Sequence, residues 1–130
     1  MASLNRAMLI GHLGKEPKIA TLNSGAKVAR FSLATSERWK DKTTGDQRER
    51  TQWHNVVIFN ENLVRVAESY LRKGSQVYVE GAIETRKYTD QSGVERYTTE
   101  IVLRAYAGEI KLLDKQDRAP PNDLDDDITF

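Results

Sequence analysis

Apolar and polar residues alternate with period two over most of this chain. Residues 7–13 read Ala-Met-Leu-Ile-Gly-His-Leu, residues 28–35 read Val-Ala-Arg-Phe-Ser-Leu-Ala-Thr, and residues 51–59 end in Trp-His-Asn-Val-Val-Ile-Phe. Residues 76–88 and 97–106 keep the habit and are rich in Val, Ile, Tyr and Thr. Side chains of these types suit a pleated, half-buried surface, so five strands are predicted. Asn23-Ser24-Gly25, Thr44-Gly45-Asp46 and Asp90-Gln91-Ser92-Gly93 supply turns between them. One segment has a different period. Leu63, Val66, Ala67, Tyr70 and Leu71 recur at helical spacing, which predicts a helix with Tyr70 in the core. Asn60 or Asn62 can cap its start and Gly74 can end it. Three strands, a helix and two more strands is the chain order of an OB-fold, a five-stranded barrel with its helix between strands three and four. The predicted class is therefore all-β with one helix.

The apolar pattern stops after Leu113. Pro120-Pro121-Asn122 and the run Asp125-Asp126-Asp127 have nothing to pack with. A boundary near Lys111–Asp114 divides the chain into a domain over residues 1–113 and a flexible acidic tail over 114–130. Charge divides at the same place. Residues 1–113 hold 18 Lys and Arg against 13 Asp and Glu, whereas 114–130 hold two against six, and the whole chain is +1. A basic body with an acidic arm suits a polyanion-binding domain. The tail ends Ile128-Thr129-Phe130, and a purely solvated arm has no folding reason to end in Ile and Phe. Another surface is expected to read it.

Composition removes several kinds of chemistry. With no cysteine among 130 residues, disulfides, thiolate zinc sites and cysteine nucleophiles are excluded. Only His12 and His54 remain as imidazoles, so no metal site or other cofactor is expected. No Ser/His/Asp set, paired-carboxylate motif or P-loop argues for an enzyme. No leader and no apolar membrane span is read, which leads to the expectation of a cytoplasmic protein.

The aromatic residues carry more information. Trp53, Asn55, Val57 and Phe59 share one strand face, and His54, Val56 and Ile58 the other, so both faces carry large apolar groups. A barrel strand turns one face to the core, which leaves the second for a ligand, a partner or another subunit. Trp39 enters a hairpin carrying Lys40, Lys42, Arg48 and Arg50. A second hairpin gathers Arg86, Lys87, Tyr88, Arg96 and Tyr97. Rings interleaved with Lys and Arg suit a single nucleic-acid strand, because unpaired bases stack on rings while cations follow the phosphates. Each ring taken alone also fits plain core packing, and each cation an ordinary solvated face.

Several strings resemble one family closely. Leu33-Ala34-Thr35-Ser36-Glu37-Arg38-Trp39, Gln52-Trp53-His54-Asn55-Val56-Val57, the run from Tyr70 to Gly81, and Asp90-Gln91-Ser92-Gly93 with Arg96-Tyr97-Thr98-Thr99-Glu100 are similar to the bacterial single-stranded DNA-binding proteins over about residues 4–113 and again at the last six residues. The resemblance implies an OB-fold homotetramer that wraps single-stranded DNA in the bacterial nucleoid. It implies base stacking at Trp39, Trp53 and Phe59, and at Tyr88 where the family usually has Trp. Lys42, Arg48, Arg50, Arg72, Lys73, Arg86, Lys87 and Arg96 are the candidate phosphate contacts, and His54 a candidate subunit contact. The tail tip, Asp125, Asp126, Asp127, Ile128, Thr129 and Phe130, is expected to recruit replication, recombination and repair proteins. Thr129 stands where the family usually has Pro, which leaves this tip less pre-organised. The expectation is a binding protein without catalysis. The rival classes are an adaptor working mainly through protein contacts and a nuclease.

Overall fold

The computed structural model describes residues 2–104 and 108–113. Its elements in chain order are β1 (Ala7–Leu13), β2 (Lys18–Thr21), β3 (Lys27–Lys40), β4 (Gln47–Ile58), α1 (Glu61–Tyr70), β5 (Gln76–Thr89), β6 (Glu95–Leu103) and β7 (Glu109–Leu112). Strands β1, β3, β4, β6 and β5 pair in that order, and β1 also pairs with β5, so the five close into a barrel. The helix falls between the third and fourth of these barrel strands along the chain. This is the expected OB-fold. Every pairing is antiparallel except β4 with β6, where residues 55–58 run parallel to 100–103. Short β2 and β7 extend the sheet beside β3 and β5. At four residues each, they are too short to show a period.

Closure depends on β1 changing partner. Residues 7–12 pair with β5, and His12 and Leu13 pair with Ala34 and Leu33 of β3. Gly11 sits at this corner, where a Cβ would collide with the Ala34 carbonyl. Only glycine lets the two backbones approach so closely.

The core follows the alternation of the strands. Leu33, Val56, Ile58, Val77, Val79 and Leu103 are fully buried inside the barrel. The helix covers β3 and β4 with Val64 and Ala67. Asn60 is its N-cap, with Oδ1 accepting from the backbone N–H of Asn62 (2.9 Å) and Leu63 (3.3 Å). The helix stops at Tyr70, before Gly74, and the extended backbone at Leu71 swings that side chain into the core. Tyr70 is not core, contrary to the sequence expectation, because it is 65% exposed. At 3.6 residues per turn it lies roughly a quarter-turn away from the Val64–Ala67–Leu71 line that meets the barrel.

Both long hairpins run on as two-stranded arms. Residues 36–40 and 47–53 are exposed on both faces of the β3–β4 arm, and residues 85–89 and 95–97 on those of the β5–β6 arm. The strands thus extend well into segments whose polarity reads as loop. The acidic tail and its tip lie outside the described residues, as do positions 105 and 106 of the last predicted strand.

Candidate nucleic-acid interface

The inward residues of β3, β4 and β6 are Ala29, Phe31 and Leu33, then Val56 and Ile58, then Ile101 and Leu103. The intervening positions therefore point outward. In β4 these are Trp53, Asn55 and Val57, with Phe59 next in phase. Beside them β3 presents Arg30 and Ser32, and β6 presents Thr98, Glu100, Val102 and Arg104. Register then places Glu84 opposite Glu100, Arg86 opposite Thr98, and Tyr88 opposite Arg96. One outer face of four strands thus gathers Trp53, Phe59, Tyr88 and four arginines, of which Arg96 turns to Asp90 at the arm tip. A groove of about 600 Å³ runs over it, lined by Trp53, Asn55, Val57, Arg86, Tyr88 and Glu100 among others, with Lys15 and Lys18 also on its wall.

Trp53 is 61% exposed, so plain core packing is ruled out for it. Its ring lies against Gly14, where a built Cβ would stand only 2.5 Å from the Trp53 Cζ3. The missing side chain makes the seat, and the rest of the ring faces the groove. Phe59 is half-buried, with the Arg104 guanidinium 4.9 Å from its centroid. Arg86 stands 5.8 Å from the Tyr88 centroid.

A row of charges separates these rings. Glu100 has an 8% exposed side chain, pairs with Arg30 at 3.3 Å, and accepts from Arg86 Nε at 3.2 Å on each carboxylate oxygen. Across the sheet, Arg104 donates to both oxygens of Glu84, at 3.0 and 2.8 Å. That hydrogen bonding holds the Glu84 carboxyl below the usual carboxylate range. Two glutamates directly opposite each other on paired strands repel. Three guanidiniums offset them and leave the row with one net positive charge. Among the described residues, no group of three His, Asp or Glu is placed to hold a metal ion. No helix among them is long and apolar enough to cross a membrane.

The other candidate residues lie elsewhere. Trp39 is 43% exposed and has the same strand phase as Leu33, so it projects from the opposite face of the β3–β4 ribbon to Trp53. Arg50 covers its ring at 5.4 Å and pairs with Glu37 at 2.6 Å. Arg48 pairs with Asp41, Lys87 with Glu95, and Arg96 with Asp90. Each arm tip is organised by its aspartate. Asp41 accepts from the Thr43 and Thr44 backbone N–H groups and from Arg48, which lowers its pKa. Asp90 is lowered by Arg96 first, then by backbone N–H groups of the turn. Arg72 donates to the Leu71 carbonyl at 2.8 Å, and weakly to those of Ser69 and Glu68, so its guanidinium caps the end of α1. Lys42 and Lys73 have exposed side chains without an ion pair among the described residues. His54 is half-buried, its Nε2 2.9 Å from the Thr35 hydroxyl.

Arg30, Glu84, Glu100 and Arg104 were not among the sequence candidates. A signal for two of them exists in the alternation. Arg30 stands between Ala29 and Phe31, and Glu100 precedes Ile101-Val102-Leu103. A charge inside an otherwise apolar strand marks an outward position that needs a partner.

Comparison with known proteins places this geometry in a family. Residues 4–112 match the family model described as the single-strand binding protein family. Proteins named single-stranded DNA-binding protein from Rickettsia felis and Rickettsia prowazekii are each 51% identical to the chain. The alignments cover 88% and 86% of this chain, and 75% and 74% of theirs. A solved structure described as the Plasmodium falciparum SSB complex with ssDNA is 45% identical, with a TM-score of 0.78. That match covers 88% of this chain and 98% of the other.

Proposed function

The chain belongs to the single-strand binding protein family, and on that premise we propose that it coats single-stranded DNA without strong sequence preference. The observation that carries this reading is the outer barrel face, where Trp53 and Tyr88 line one groove with Arg30 and Arg86, and Phe59 under Arg104 lies on the same face beyond it. Exposed rings give every base a stacking surface, and guanidiniums meet the phosphates between them. The solved relative described with ssDNA supports the same ligand. Trp39, on the other face of its ribbon, serves a strand that wraps around the arm. Lys42, Arg48, Arg50, Lys87 and Arg96 meet phosphates along the arms, and Arg72 and Lys73 meet them beside the end of α1. The protein is a binding module and not an enzyme, acting in the cytoplasm in replication, recombination and repair.

Assembly and recruitment belong to the same reading. Residues 1–113 form the binding and oligomerisation domain. Met8 and Ile10 of β1 and Leu112 of β7 leave apolar side chains exposed, 62%, 56% and 40% respectively. Their burial between subunits favours a homotetramer, with His54 at a subunit contact. Residues 114–130 form an acidic tail whose tip, from Asp125 to Phe130, recruits partner proteins. A terminal carboxylate and an apolar side chain are read together in one basic-rimmed pocket.

The test is a titration with oligo-dT while Trp fluorescence and molecular mass are followed. Fluorescence should fall on binding, affinity should drop as salt rises, and the mass should be that of a tetramer. A matched duplex should bind far more weakly. Equal affinity for duplex and single strand would overturn the stacking reading. Deleting Phe130 should remove capture of repair proteins and leave DNA binding intact; unchanged capture would overturn the role of the tail.

A further inference from the structure

A carboxylate on the floor of a DNA-binding groove repels the ligand, so Glu100 needs an explanation. It is nearly buried, it lines the groove, and it pairs at once with Arg30 and Arg86. Stability is a poor account of it. A nearly buried ion pair gains little over apolar packing of the same volume, and both arginines are about half exposed and open to water. The geometry suggests another use. The two Glu100 oxygens present to the guanidiniums what a phosphate presents, anionic acceptors for charge-assisted hydrogen bonds, with Arg86 Nε donating to both and Arg30 to one. Arg86 also stands over Tyr88, so its position controls access to that ring.

We propose that Glu100 is an exchangeable counter-ion of the groove, standing in the free protein where a phosphate of the bound strand comes to lie. The inference rests on the reading that the groove takes single-stranded DNA. In the free protein Glu100 keeps Arg30 and Arg86 turned into the groove. It also lowers the local charge of the trio from two to one, which weakens adhesion to polyanions that cannot reach the floor. A flexible single strand reaches it, displaces Glu100 from the guanidiniums and gains the Tyr88 ring as Arg86 moves. A duplex holds its phosphates on a stiff ridge and reaches only the rim. Glu100 is thus a positioning and specificity residue that need not touch a base.

The test compares the full chain with its Glu100→Gln and Glu109→Gln variants. Glu109 pairs with Lys111 on β7, outside the groove lining, and controls for loss of one negative charge. Each protein is titrated with a short oligo-dT and with a duplex of equal length over a range of salt. Glu100→Gln should bind oligo-dT about three- to tenfold more tightly at low salt, as expected for one repulsive unit charge removed within a Debye length. Its plot of log affinity against log salt should steepen by about 0.7, the increment for one further single-strand phosphate neutralised. Its preference for single strand over duplex should shrink, because the duplex now meets a more positive groove. Glu109→Gln should change none of these more than twofold. Wild-type binding with the two variants alike overturns the inference alone, and no wild-type binding to oligo-dT overturns the groove reading with it. A second measurement does not depend on the variant folding. The Arg86 Nε–H resonance of the wild-type protein should shift on saturation with oligo-dT and stay in place with duplex. An unmoved resonance at saturation overturns the exchange.

Discussion

The barrel face and the β3–β4 arm each carry a unit made of one glutamate, one arginine and one aromatic ring. On the barrel the unit is Glu100, Arg86 and Tyr88; on the arm it is Glu37, Arg50 and Trp39. The two glutamate side chains differ sharply in exposure, 8% for Glu100 and 62% for Glu37. Glu100 sits among buried neighbours, Val57 and Val102, and holds two arginines. Glu37 lies on a ribbon with solvent on both sides. Exposed pairs of that sort contribute about 0–1 kcal/mol and are screened by salt. The same residues therefore make a pre-formed floor in one place and an adaptable arm in the other. On the function proposed above, the floor fixes where a strand is held and the arms follow it outward.

Stability gives the largest expected contrast. Leu103→Ala, at a fully buried barrel position, should cost about 2–5 kcal/mol in denaturant unfolding. Val94→Ala, at the half-exposed tip of the β5–β6 arm, should change it by less than about 0.5 kcal/mol. Equal losses would show that arm and barrel unfold as one rigid unit.

Affinity follows. Trp53→Ala should weaken oligo-dT binding by about 1–3 kcal/mol, with Trp39→Ala at the lower end of that range. Trp53 shares its groove with Arg30 and Arg86, whereas Trp39 stands on an arm exposed on both faces. If the order of the two effects were reversed, the arm would be the anchor. Gly14→Ala is a finer probe. The added methyl should push the Trp53 ring off its seat, shift its emission, and weaken binding by about 1 kcal/mol or less, a fraction of a full stacking loss. Unchanged emission would mean that Gly14 does not set the ring.

The smallest expected effect is one of pH at the arm tips. Asp41 and Asp90 have pKa values lowered in the folded state. Their contribution is complete above the ordinary carboxylate pKa and is lost as pH falls through the lowered native values. Amide protection at Thr43, Thr44, Ser92 and Val94, corrected for intrinsic exchange, should therefore fall in acid before that of the barrel strands. Protection lost only together with the barrel would show that the aspartates do not hold the tips.

Much of the fold was legible because its causes are local. Period-two alternation located the five barrel strands, and the change of period near Leu63 located the helix with Asn60 at its start. Strand ends were not legible in the arms. Residues 36–40 and 47–50 are polar apart from Trp39 and read as loop, yet the ladder from Glu37–Arg50 to Lys40–Gln47 keeps them paired. Tyr70 was misplaced because a helical stripe shows which residues are apolar, not which of them the barrel covers.

The candidate site divides in the same way. Its residue types were readable from the chain alone: exposed-type rings spaced among Lys and Arg on strands. Its membership was decided by closure of the barrel. Parallel pairing of β4 with β6 brings Asn55 beside Glu100, and the β5–β6 hairpin sets Glu84 on the other side. Only then do Arg30, Glu100 and Arg86, from three strands, form one charged row between the rings. Strand phase likewise placed Trp39 and Trp53 on opposite faces of one ribbon. Alternation and capping act over a few residues and are written locally. Which outward side chains meet depends on strand order and register, and these arise only when burial of the shared core selects a single way to close the sheet.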